Sequence, residues 1–176
     1  MGNLLVVSEL NQLLFEVQSQ LEILTNCNTH KGMSRDIVLV QKRLISNSNH
    51  GFYIPFPSLK SLFKNTPIKD HSLLISSYFS HQKLQKVNIL EVMASLITYS
   101  SETLEEKVKL ALDVFDFDGN RVITKDEMVI MCISFIKGIA VMTQSATDNQ
   151  TVIESLAQEA FYLADSNPDG MITYEE

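Results

Sequence analysis

Asp116, Asp118 and Asn120 stand at positions 1, 3 and 5 of a twelve-residue stretch, with Thr124 at position 9 and Glu127 at position 12. In residues 165–176 the same positions hold Asp165, Asn167, Asp169, Thr173 and Glu176. An oxygen at every second residue, closed by a carboxylate seven positions later, lets a loop wrap its donors round one centre. The backbone carbonyls of Val122 and Met171, at position 7, complete six donors. That is the demand of a hard divalent cation such as Ca2+, which takes six to eight oxygens at about 2.3–2.6 Å. The carboxylate at position 12 is the bidentate ligand. Ile123 and Ile172, at position 8, are apolar and are expected to pair across the two loops. Position 6 needs a left-handed backbone for the sharp turn. Gly170 meets that need, but Arg121 holds the place in the first loop. A residue with a Cβ costs about 1–2 kcal/mol there, and its charge lies near the ion, so a working but weakened first site is expected. The second loop has the better ligands, yet Glu176 is the last residue, which leaves the exiting helix missing and its key ligand prone to fray. Two such loops with every spacing met are a strong signal, where one acidic turn is a weak one.

Amphipathic helices must hold these loops in place. Thr103 and Glu106 form a capping-box pattern, followed by a stripe of Val108, Ala111, Leu112 and Phe115 that stops at the first loop. Met128, Met131, Cys132 and Phe135 continue after it. Residues 143–151 read as a polar linker, and Ile153, Leu156, Ala157, Ala160, Phe161 and Ala164 lead into the second loop. Upstream, Leu10, Leu14, Val17, Leu21 and Leu24 line one face of a helix over 4–24. Residues 25–34 are a polar break, and further helices are expected at about 35–46, 69–80 and 88–99. Ser58 is the expected cap of a short helix through Phe63. Residues 80–91 look like a worn copy of the loop, with Val87 at position 8 and Glu91 at position 12. Residues 47–58 look like another, with Ile54 at position 8. Neither keeps the carboxylates a metal needs. The expectation is an all-α fold of helix–loop–helix pairs: an N-terminal helix and linker (1–34), a degenerate pair (35–100), and a metal-binding pair without its final helix (101–176).

Composition narrows the function. Residues 1–99 carry nine basic and six acidic side chains, and residues 100–176 carry five and fifteen. The acidic half repels nucleic acid and attracts cations. Cys27 and Cys132 form no disulfide framework or zinc motif, which favours a reducing compartment. The start of the chain lacks the basic-then-apolar layout of a signal peptide, and Val6 stands where a myristoylation signal has Ser or Thr. The most apolar run, Met128–Met142, falls short of the roughly 20 residues that span a bilayer. No His-Glu-x-x-His, Gly-x-Ser-x-Gly or phosphate loop is present, and the four histidines are scattered, so no enzyme is expected.

Taken with the run Val87–Glu91, the run Leu104–Lys109, Val114–Asp116, Ile123–Met128 and the 49 positions from Asp116 to Asp165, the chain resembles the EF-hand proteins of the neuronal calcium sensor and calcineurin B type. The likeness extends to the calaxin branch, ciliary sensors of outer-arm dynein, and covers about residues 50–176. It implies a calcium-responsive adaptor that binds a helical segment of a larger cytoplasmic or axonemal partner. On that reading Glu127 and Glu176 move inwards on loading, and Met128, Met131, Phe135 and Met142 line an apolar groove or belong to the core. The rival expectations are a constitutive interaction subunit, with calcium secondary, and a calcium buffer. Partner identity and oligomeric state have no signature in the sequence.

Overall fold

The computed structural model describes residues 33–46, 51–66, 68–69, 72–81, 85–146 and 149–176. The helix read over 4–24 lies outside them. Helix α1 (Met33–Ser46) is followed by strand β1 (Tyr53–Pro55), α2 (Phe56–Leu62), α3 (Ser72–Phe79), β2 (Ser80–His81), β3 (Lys86–Asn88) and α4 (Ile89–Tyr99). Then come α5 (Leu104–Phe115), β4 (Val122–Thr124), α6 (Lys125–Thr143), α7 (Gln150–Ala164) and β5 (Met171–Thr173). Helices dominate, and the strands are bridges of two or three residues.

Local chemistry sets the helix ends. Thr103 caps α5 as read: its hydroxyl accepts from the Glu106 amide, and Glu106 accepts in return from the Thr103 amide. Thr124 and Glu127 form the same box at the start of α6. Asn88 caps α4 and Asn149 caps α7 through their side-chain oxygens. At the far end of α6, Gln144 turns left-handed at φ +52° and donates back to the last carbonyls. Ser58 does not cap α2. That helix starts earlier, after Pro55, with Pro57 in its first turn. A proline there loses no hydrogen bond and already has helical φ, so Ser58 falls inside the helix.

The strands form two small antiparallel sheets, one of three strands and one of two. Ile54 of β1 lies opposite Val87 of β3, with β2 on the far side of β3. Ile123 of β4 lies opposite Ile172 of β5. Position 8 therefore meets position 8 in both halves, worn loops included. Gln85, at position 6 of the worn copy 80–91, even keeps the left-handed backbone at φ +49°.

The largest buried cluster runs from Ile37 to Met142 and includes Phe63, Ile89, Met93, Leu96, Val114 and Phe115. Helix α4 is buried from Ile89 to Ile97, as expected for a helix apolar on all sides. Helix α6 crosses it so closely that a Cβ on Gly138 would stand 2.6 Å from the Glu91 carbonyl oxygen. A smaller cluster of Ile123, Phe161 and Ile172, flanked by Leu112, Met128 and Ala164, sits beneath the two acidic loops.

A candidate metal centre in two acidic loops

Helices α5 and α7 each end on the first aspartate of a loop. Asp116 and Asp165 have nearly the same C-cap backbone (φ −74°, ψ 88° and φ −69°, ψ 81°), and their amides donate to Leu112 and Phe161. The loops then fold by matching hydrogen bonds, except that Pro168 has no amide to match that of Gly119. Asp116 accepts from the amides of Gly119 (2.8 Å), Asn120 (3.1 Å) and Arg121 (2.9 Å). Asp165 accepts from Asp169 (3.2 Å) and Gly170 (3.0 Å). The side chain at position 3 receives the amide of position 5, Asn120 to Asp118 and Asp169 to Asn167. Position 5 in turn receives the amide of position 7, Val122 to Asn120 and Met171 to Asp169.

Position 12 closes each loop. Glu127 accepts from the Phe117 amide (3.0 Å) and from the Thr124 amide and hydroxyl (2.9 and 2.8 Å). Glu176 accepts from the Ser166 amide and hydroxyl and from the Thr173 amide and hydroxyl. The Thr173 amide bond, then the Ser166 and Thr173 hydroxyls, hold the Glu176 carboxyl below the usual carboxylate range.

The first loop gathers its acids most tightly. One carboxylate oxygen from each of Asp116, Asp118 and Glu127 lies within 4.8 Å of the others. Oxygens bound to one ion at about 2.3–2.6 Å are separated by about 5 Å or less, so this donor set fits Ca2+. Asp116 and Glu127 are also buried, at 6% and 8% exposure. Among the described residues the one ion pair is Lys109–Glu105, so neither acid has a basic partner. An Asp at the C-terminal end of a helix also faces the negative end of its dipole. Acids placed so call for a cation. Among the described residues no second group of three acids converges this closely. In the second loop position 3 is an amide, Asn167, and Glu176 is exposed.

No protein-family profile matches the chain. Over 187 aligned positions, 99% of this chain and 31% of the relative, it is 24% identical to calcium-dependent protein kinase 5 of Plasmodium falciparum. Over 90 positions, 51% of this chain and 41% of the relative, it is 30% identical to calaxin of Homo sapiens. Over 120 positions, 67% of this chain and 63% of the relative, it is 28% identical to the calcium-binding protein NCSA of Dictyostelium discoideum. The chain thus spans from about a third to somewhat under two thirds of these relatives' lengths. The fold is the all-α EF-hand fold. Its relatives and its acidic cluster both support Ca2+ as the ion.

Position 6 turns left-handed in both loops, at φ +67° in Arg121 and φ +84° in Gly170, and Gly119 turns left-handed at position 4 of the first loop, at φ +72°. Arg121 was legible in the sequence as a departure from the glycine this turn favours.

The four side chains considered as groove lining are packed in this structure. Met142 is fully buried, Met131 and Phe135 lie against the main cluster, and Met128 lies against the small one. Phe52, just ahead of β1, packs its ring 5.1 Å from that of Phe117, which is position 2 of the first loop. Among the described residues no helix is long and apolar enough to cross a membrane.

Proposed function

We propose that the chain is a calcium sensor that regulates a partner protein by way of α6. In this reading Asp116, Asp118, Asn120, Thr124 and Glu127, with the Val122 carbonyl, hold one ion. Asp165, Asn167, Asp169, Thr173 and Glu176, with the Met171 carbonyl, hold the second. The ion would supply positive charge that the buried acids lack. The observation that carries the reading is the convergence of Asp116, Asp118 and Glu127 without a basic partner.

The chain's own residues would do the rest. Glu127 is the third residue of α6, so its carboxylate ties the loop to the start of a 19-residue helix. That helix packs on both α4 and α7. A change in how Glu127 is held therefore reaches the degenerate pair over 35–100, which we read as a metal-free scaffold for a helical segment of the partner. The acidic half over 101–176 disfavours nucleic acid. The cytoplasm or a cilium is the proposed location, and the kinase relative is not taken to make this chain an enzyme.

A second reading, a constitutive interaction subunit, is favoured by the packed state of Met131, Phe135 and Met142. Calorimetric calcium titration of the chain, with Glu127→Gln and Glu176→Gln, tests the first. Two binding events are expected, one lost in each variant, together with calcium-dependent fluorescence of an apolar dye. Binding without new apolar surface would favour the constitutive subunit. No binding up to millimolar calcium would end the calcium assignment.

A further inference from the structure

Two side-chain contacts cross between the loops, and they mirror one another. Tyr174 is position 10 of the second loop, and its hydroxyl donates to Oδ1 of Asp113 at 2.5 Å. Asp113 lies on α5, three residues before Asp116. Lys125 is position 10 of the first loop, and its Nζ donates to the Tyr162 hydroxyl at 3.1 Å. The same Nζ stands 5.0 Å from the centre of the Tyr162 ring. Tyr162 lies on α7, three residues before Asp165. Position 10 of each loop therefore holds the helix that delivers the other loop's first aspartate, one turn ahead of it.

The β4–β5 pair already joins positions 7 to 9 of the loops through their backbones. It fixes the exit side of each loop. The crossed contacts act on the entry side, where Asp116 and Asp165 cap α5 and α7. The two contacts differ in chemistry, a phenol on a carboxylate and an ammonium on a phenol, yet they occupy the same place under the pseudo-twofold axis of the pair. Position 10 offers no ligand, so nothing in metal coordination requires these side chains.

We propose that Tyr174 and Lys125 are positioning residues that couple the loops, each pre-setting the first aspartate of the other. The proposal rests on the calcium reading given above. Loading one loop orders its position 10, and the contact so tightened holds the other loop's first aspartate where the ion needs it; this lowers the ordering cost of the second binding step, and linkage makes the effect reciprocal. Both contacts are solvent-exposed, so each should carry a modest share, about two- to fivefold in the ratio of the stepwise affinities.

The test is calcium titration of the whole chain beside Tyr174→Phe, which removes only the hydroxyl, and Lys125→Met. Each variant is expected to lower the ratio of second to first affinity by that factor. In a Glu176→Gln background, where the second loop cannot be ordered by an ion, Tyr174→Phe is expected to weaken the first loop by a smaller factor than it does in the whole chain. An unchanged ratio, or an equal loss in the single-loop background, would overturn the proposal. Amide NMR shifts of the calcium-free chain give an independent readout. Tyr174→Phe should shift residues 113–121, and Lys125→Met should shift residues 162–170. Shifts confined to the substituted loop would also overturn it. Absence of any calcium binding by the unsubstituted chain would instead reject the calcium reading, and the coupling role with it.

Discussion

Arg121 holds at position 6 the left-handed backbone that Gly170 holds in the opposite loop. A Cβ in that region costs about 1–2 kcal/mol. Glycine removes the strain but loses more entropy on ordering, which offsets part of the gain. Arg121→Gly is expected to tighten the first loop by about threefold to tenfold. The measurement is calcium titration with the second loop silenced by Glu176→Gln. Unchanged affinity would mean that the left-handed backbone is held without cost to binding. At this scale the sequence was legible wherever a ligand position was at stake, because oxygen donors repeated at this spacing have little use except to surround a cation. It was silent on Lys125 and Tyr174, because position 10 has no fixed chemistry and its contacts depend on how two loops face each other.

The capping boxes show what was legible at the scale of an element. Thr103 and Glu106 were readable as a start signal, and both reciprocal bonds are present. The misreading of α2 has the opposite cause: Ser58 has the side chain of a cap, but Pro55 and Pro57 fix the backbone first. Thr103→Ala is expected to destabilise the chain by about 0.5–2 kcal/mol, measured by urea unfolding. The effect should also depend on pH. The bond from the Thr103 amide, then that from its hydroxyl, lowers the Glu106 carboxyl below its ordinary value. A group depressed in the folded state contributes stability above its unfolded value, about 4.3 for Glu, and loses it as pH falls through the lower folded value. The unfolding difference between the two proteins should therefore be larger near neutral pH than below about pH 3. A difference that is constant across that range would show that the bond from the Thr103 hydroxyl to Glu106 contributes nothing, since the amide bond survives in both proteins.

At the scale of the whole molecule, the periodicity of single helices says little about which faces meet. Leu110, Val114, Phe115 and Met142, from beyond residue 100, lie in one buried cluster with Ile37, Phe63 and Met93. Helix α6 carries this connection, because its first turn holds Glu127 of the first loop and it crosses α4 at Gly138. That crossing leaves no room for a methyl group. A Cβ at Gly138 would meet Ser95 Oγ at 2.5 Å and the Glu91 carbonyl oxygen at 2.6 Å. Ser95 Oγ already donates to that carbonyl at 2.8 Å, so the two obstacles move together. Overpacking of this kind costs about 1–3 kcal/mol, and in a chain of this size each kcal/mol lowers the thermal midpoint by about 2–4 °C. Gly138→Ala is expected to lower the midpoint accordingly. Ser95→Ala in the same background should restore only part of the loss, since it removes the hydroxyl and leaves the Glu91 carbonyl in place. If α6 transmits the state of Glu127 through this crossing, Gly138→Ala should also weaken calcium binding by the first loop more than by the second, which is read by the same single-loop titrations. An unaltered midpoint would mean that α4 and α6 stand further apart than the structure has them, and equal effects on both loops would separate the crossing from Glu127.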